Sequence, residues 1–105
     1  MWENPNKRTQ FSAQTISLDL SKYKRVKIVC TFNNEDTVNE HVFVNELFVN
    51  SKYAQVCVAK QKLSGNWGVR ETTVKTNGIV FGGGYLNDSN HNKICVPYEI
   101  YGLMY

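Results

Sequence analysis

Apolar residues in this chain recur at every second position, in short runs separated by clusters of turn-forming residues. That rhythm constrains the fold more than any other feature of the sequence. Ile16, Leu18 and Leu20 alternate with Ser17 and Asp19. In the next run Val26, Ile28 and Cys30 share one side, and Lys27 and Thr31 share the other. Towards the C-terminus Ile94, Val96, Tyr98 and Ile100 alternate with Lys93, Pro97 and Glu99. Successive side chains of a strand point to opposite faces, so a period of two places each apolar set on the buried face of a sheet.

The same rhythm, less regular, continues between these runs. Strands are expected over 15–20, 25–32, 41–49, 53–60, 67–76, 79–81 and 94–101, about seven in all. Residues 1–12 read as an incoming loop, and Asn33-Asn34-Glu35-Asp36 as a turn. The run 41–49 is apolar with few breaks, which predicts a strand covered on both faces for part of its length. Asn50-Ser51 turns the chain into the next run, where Ala54, Val56 and Val58 alternate with Gln55 and Cys57. After a loop at 63–66, Asn77-Gly78 is the best local signal. It predicts a type I′ hairpin with positive φ at both residues, joining 69–75 to 79–81. Gly82-Gly83-Gly84 predicts a bulge, bend or loop, and the polar stretch 87–92 an exposed loop. Pro97 has no N–H to give a ladder, so its strand is an edge or carries a bulge there.

Composition agrees with this reading. The chain has 12 Val and 5 Ile against 3 Ala, and β-branched residues suit a pleated, half-buried surface. With 105 residues there is room for one domain and one core. The expected architecture for 1–105 is a single all-β, antiparallel β-sandwich, jelly-roll-like.

The formal charge of +3 is modest. A nucleic-acid binder shows a denser basic face. The cluster Lys22-Tyr23-Lys24-Arg25-Val26-Lys27 reads instead as a strand with charged outer positions, such as a protected edge. Cys30, Cys57 and Cys95 are too few for a disulfide scaffold and form no close pair in sequence, so they read as buried free thiols. One disulfide between two of them stays open. No stretch resembles a signal peptide, and no apolar run approaches a transmembrane helix, so membrane insertion is not expected.

There is no metalloprotease helix motif, phosphate loop or nucleophile elbow. His41 precedes an apolar run and belongs at a strand end. His91 lies in the polar loop, exposed to solvent or to a ligand. Glu46, Glu71 and Glu99 offer carboxylates, but spacing along strands says nothing about their separation. Asp88-Ser89-Asn90 lacks the later glycine and glutamate of a calcium loop. The chain is therefore expected to be no enzyme, with no cofactor and no metal. What remains is a binding surface. Trp67 with Asn66, and Tyr85 with Asn87, Asp88 and His91, combine an aromatic face with hydrogen-bonding groups in the way of a sugar site. The competing reading is that Trp67 caps the core. Trp2 is expected to close the domain by packing.

Both ends of the chain carry a further pattern. Trp2-Glu3-Asn4-Pro5-Asn6, followed by the run from Phe11 through Ala13-Gln14-Thr15, Leu18-Asp19-Leu20-Ser21 and Tyr23, resembles the opening of small domains in tail proteins of phages and prophages of Gram-positive and gut bacteria. The ending Cys95-Val96-Pro97-Tyr98-Glu99-Ile100-Tyr101-Gly102-Leu103 is similar to their closing strand, and Thr76-Asn77-Gly78-Ile79 followed by glycines to their usual hairpin. The likeness covers the first 30 or so residues and the last 12. It implies a β-sandwich module of a longer tail fibre or baseplate protein, made in the bacterial cytoplasm, carried on the virion tail, trimeric in its parent, and binding a host-surface glycan. The motifs mark no ligand residue. Two other functions compete: a structural or trimerisation module of a tail fibre, and a carbohydrate-binding module of a wall-degrading enzyme. Exposed apolar residues at a subunit contact would favour the structural module; an open polar and aromatic groove would favour receptor binding.

Overall fold

The computed structural model describes residues 2–4, 11–32, 41–60, 67–86, 89–90 and 95–104. Nine strands follow one another along them: β1 (Trp2–Glu3), β2 (Gln14–Ser17), β3 (Arg25–Phe32), β4 (His41–Phe48), β5 (Gln55–Lys60), β6 (Trp67–Lys75), β7 (Gly78–Leu86), β8 (Ser89–Asn90) and β9 (Val96–Leu103). They form two antiparallel sheets. The first has the order β1-β9-β3-β4 and the second β2-β7-β6-β5, with β8 paired to the far end of β7.

The sheets stack as a sandwich around one core. Val26, Ile28, Cys30, Val96 and Ile100 enter it from the first sheet, and Cys57, Val74, Ile79 and Phe81 from the second. Leu20 and Phe11 fill it from the connecting segments. Each fully buried aliphatic or aromatic side chain stabilises the fold by roughly 1.5–3 kcal/mol. The alternation read in 15–20 and 25–32 is therefore the alternation of core and solvent.

The opening and closing segments of the chain pack against one another and against the core. Trp2 pairs with Ile100 and Glu3 with Glu99, while the Asn4 backbone N–H donates to the Tyr98 carbonyl at 2.8 Å. Trp2 is half-buried and stands edge-on to Phe11, which in turn stands edge-on to Phe81. The Leu18 and Leu20 N–H groups donate to Asn77 and Thr76 carbonyls. Tyr23 lies flat against Gly102, where an added Cβ would come within 2.6 Å of its ring. The opening and closing segments thus recognise each other.

Several expectations are corrected. Residues 2–3 form a strand rather than part of a loop, because β9 offers them a free edge to pair with. The hairpin turn is Thr76-Asn77, closed by the Lys75–Gly78 pair, and neither turn residue has positive φ. Hydrogen bonds from Leu18 and Leu20 to this turn override the local preference for the mirror-image type. Gly78 is needed for another reason: a Cβ there would meet the Ile16 carbonyl oxygen at 2.5 Å. β3 is central in its sheet, so its basic residues do not guard an edge. β4 is the outer strand, and no described residue covers its outward face; Val44 and Phe48 stay 58% and 64% exposed. Ser89–Asn90 pairs with Tyr85 and Leu86 instead of lying wholly in a loop. The glycine run takes up a bulge, as expected, and does so within β7. Of the two expectations for Pro97, an edge or a bulge, the bulge holds: β9 lies inside its sheet and carries Tyr98 as the extra residue beside Pro97.

The outer strands β4 and β5 meet through side chains. The Asn45 amide accepts the Val58 N–H at 2.9 Å and donates to the Val58 carbonyl at 3.4 Å. The Gln55 amide accepts the Phe48 N–H at 2.8 Å and donates to the Phe48 carbonyl at 2.9 Å. Each amide reproduces the donor and acceptor of a peptide unit, so backbone groups on both edges are satisfied without a continuous ladder.

Candidate functional site

The two sheets differ on their outward faces. On the first, charged and aromatic groups engage one another. Arg25 and Glu46 form an ion pair at 3.0 Å, and the Lys27 ammonium lies 5.9 Å from the centre of the Tyr101 ring. The Tyr101 phenol donates to the Glu99 carboxylate at 2.5 Å, which holds the phenol above its usual titration range.

The outward face of the second sheet is less self-satisfied. Cross-strand pairing sets Val58, Val69 and Tyr85 in one row, Val56 beside Glu71 in the next, and Thr73, Val80 and Thr15 in a third. Between the β6 and β7 rows lies an open groove of ≈ 260 Å³ lined by Glu71, Thr73, Val80, Gly82, Gly83 and Tyr85. Its floor is the bulge. The register shifts between Arg70–Gly84 and Thr72–Phe81, which sets Gly82 and Gly83 opposite Glu71 with no side chains to fill the space. Tyr85 is 43% exposed at one end. The polar groups of Glu71, Thr73 and Tyr85 make no side-chain hydrogen bond or ion pair with the described residues. Volumes for drug-sized ligands start near 300 Å³, so this groove has room for about one sugar ring.

A buried arginine holds the floor from beneath. Arg70 is fully buried, and its guanidinium donates to the Gly82 carbonyl at 2.7 Å, the Phe11 carbonyl at 2.9 Å and the Cys95 carbonyl at 3.1 Å. It also lies 5.3 Å from the centre of the Phe11 ring. Cys95 adopts φ 50° just before β9. Burial draws the guanidinium below its ordinary range, and the thiols around it oppose that.

The three cysteines are free and buried, as read from the sequence, and they cluster around Arg70. The Cys57 thiol lies 3.5 Å from the Thr72 hydroxyl, and the Cys95 thiol 3.3 Å from the Cys57 carbonyl. Contact with Cys57, together with burial, pushes the Cys30 thiol well above the usual range. Sealed from solvent, these thiols offer no surface to a substrate. No group of three His, Cys, Asp or Glu among the described residues is placed to hold a metal ion.

A second cleft, of ≈ 530 Å³, is lined by Ser17, Leu18, Asp19, Ser21, Thr76 and Asn77. None of its described lining residues is aromatic. The Asp19 carboxylate is engaged by the Ser21 N–H at 3.2 Å and hydroxyl at 2.6 Å, which lowers the Asp19 pKa.

Of the residues singled out in the sequence, the groove contains Tyr85. Trp67 heads β6, and its side chain lies outside the described residues, as do Asn66, Asn87, Asp88 and His91. His41 opens β4, at a strand end. Glu71, read from the sequence only as one carboxylate among several, and Thr73 line the groove beside Tyr85. The signal for them was the glycine run, whose bulge faces Glu71 across the hairpin. No helix among the described residues is long and apolar enough to cross a membrane. No family model matches the chain, and no curated protein or solved structure does.

Proposed function

We propose that this chain is a non-catalytic binding module of a phage or prophage tail tip, which recognises carbohydrate on a host surface. The tail assignment rests on the likeness of the opening and closing segments. The binding assignment rests on one observation: an open groove that joins an exposed tyrosine to a carboxylate and a hydroxyl with no protein partner among the described residues. A sugar ring presents an apolar face and a rim of hydroxyls, and Tyr85 with Glu71 and Thr73 complements both.

A second reading has its own support. Val44, Phe48 and Tyr53 are 58%, 64% and 80% exposed along β4 and the turn after it. Such a stretch suits a subunit contact in a trimeric fibre.

The test is binding of the purified domain to whole cells and wall polysaccharide of candidate hosts. Wild type is compared with Tyr85→Ala, Glu71→Ala and Trp67→Ala. Saturable binding lost in the folded Tyr85 and Glu71 variants is the expected result. No binding across a broad host panel, from a domain that sediments as an oligomer through its β4–β5 surface, favours the structural module.

A further inference from the structure

Resting on the glycan-binding reading, we propose that the groove between β6 and β7 selects an amine-bearing sugar, a glucosamine-type unit with a free ammonium, over its acetylated or anionic counterparts. The argument is one of charge and shape. Among the described residues that line the groove, Glu71 is the one charged group and none is a cation. Lys75 shares the outward face of β6, but it lies beyond Thr73 at the hairpin end and does not line the groove. A phosphate, uronate or sialate would meet an uncompensated carboxylate. An ammonium meets two favourable partners, the Glu71 carboxylate and the Tyr85 ring, since an aromatic face attracts cations as well as apolar sugar faces. On the first sheet, by contrast, Glu46 pairs with Arg25 and Glu99 accepts from the Tyr101 phenol.

The groove is solvent-open, and exposed ion pairs and cation–π contacts are individually weak. Together they favour the ammonium form by roughly tenfold. The remaining contacts, the Thr73 hydroxyl and the glycine floor, are shared by neutral sugars and give no preference.

The experiment titrates the isotopically labelled domain with a glucosamine tetramer and with an N-acetylglucosamine tetramer, following the backbone resonances of Glu71, Thr73, Gly83 and Tyr85. The proposal expects about tenfold tighter binding of the free-amine oligomer at the groove. Glu71→Gln, an exposed change that leaves the fold intact by its thermal transition, should bring the two oligomers to equal affinity. Equal affinity in the wild type, or a preference that survives Glu71→Gln, overturns amine selection and leaves sugar binding standing. No groove resonance moving with either oligomer overturns the amine proposal. The glycan reading itself then falls only if the whole-cell and polysaccharide panel is also negative.

Discussion

Arg70 shows how much one side chain organises here. Its guanidinium ties Phe11 from the opening segment, Gly82 from the groove floor and Cys95 from the start of the closing strand into one buried knot. Replacing it with alanine leaves two buried carbonyls and the part-buried Gly82 carbonyl without this donor, each buried one worth about 1–3 kcal/mol when unmet. Arg70→Ala should therefore lower stability by about 3–5 kcal/mol in urea unfolding. Arg70→Lys should recover only part of it, because an ammonium cannot span three diverging acceptors. Gly102→Ala should cost about 1–3 kcal/mol, read the same way, since Tyr23 must leave its place against the backbone. Asp19 titrates below an ordinary aspartate because the folded chain supplies Ser21 donors to its carboxylate. Its contribution is thus complete at neutral pH and fades as pH falls through that depressed value. Titration of its carboxyl by NMR should show the lowered midpoint, and Ser21→Ala should raise it.

At the scale of elements, the amide seam between β4 and β5 carries a distinct expectation. Asn45→Ala and Gln55→Ala should each cost about 1 kcal/mol, and the double variant should self-associate in sedimentation, because two strand edges then present unmatched backbone groups. This is also the scale at which the sequence is most and least informative. The strand over 25–32 was legible to the residue, because Val26, Ile28 and Cys30 keep strict alternation. Which strands lie at an edge was not legible. β3 and β9 sit inside their sheet and β4 outside it, and that depends on pairings between residues far apart in the chain. In β5 the period of two was right, yet hydropathy could not say that Cys57 turns inward while Val56 and Val58 turn out. The candidate site was legible only through Tyr85. Glu71 reaches the groove through a bulge whose position depends on how two strands slip against each other.

For the molecule as a whole, stability comes from a packed core with no covalent staple among its cysteines. The three thiols are free, so a reductant should leave the thermal midpoint unchanged, as a scan with and without it would show. The radius of gyration, 13.2 Å, is that of a domain of this length folded around a single core. The two sheets also divide the labour. The core-facing sides and the paired end segments hold the framework, while the outward face of the second sheet carries the groove.

The pairing of β1 with β9 sets how the domain answers a pull. The strands run antiparallel, with Trp2 beside Ile100 and Leu103 beside Arg25, so the incoming and outgoing chain lie at the same end of the sandwich. A force between them loads the hydrogen bonds of β9 one after another, peeling rather than shearing. A domain so arranged yields at low tension when pulled through these two segments.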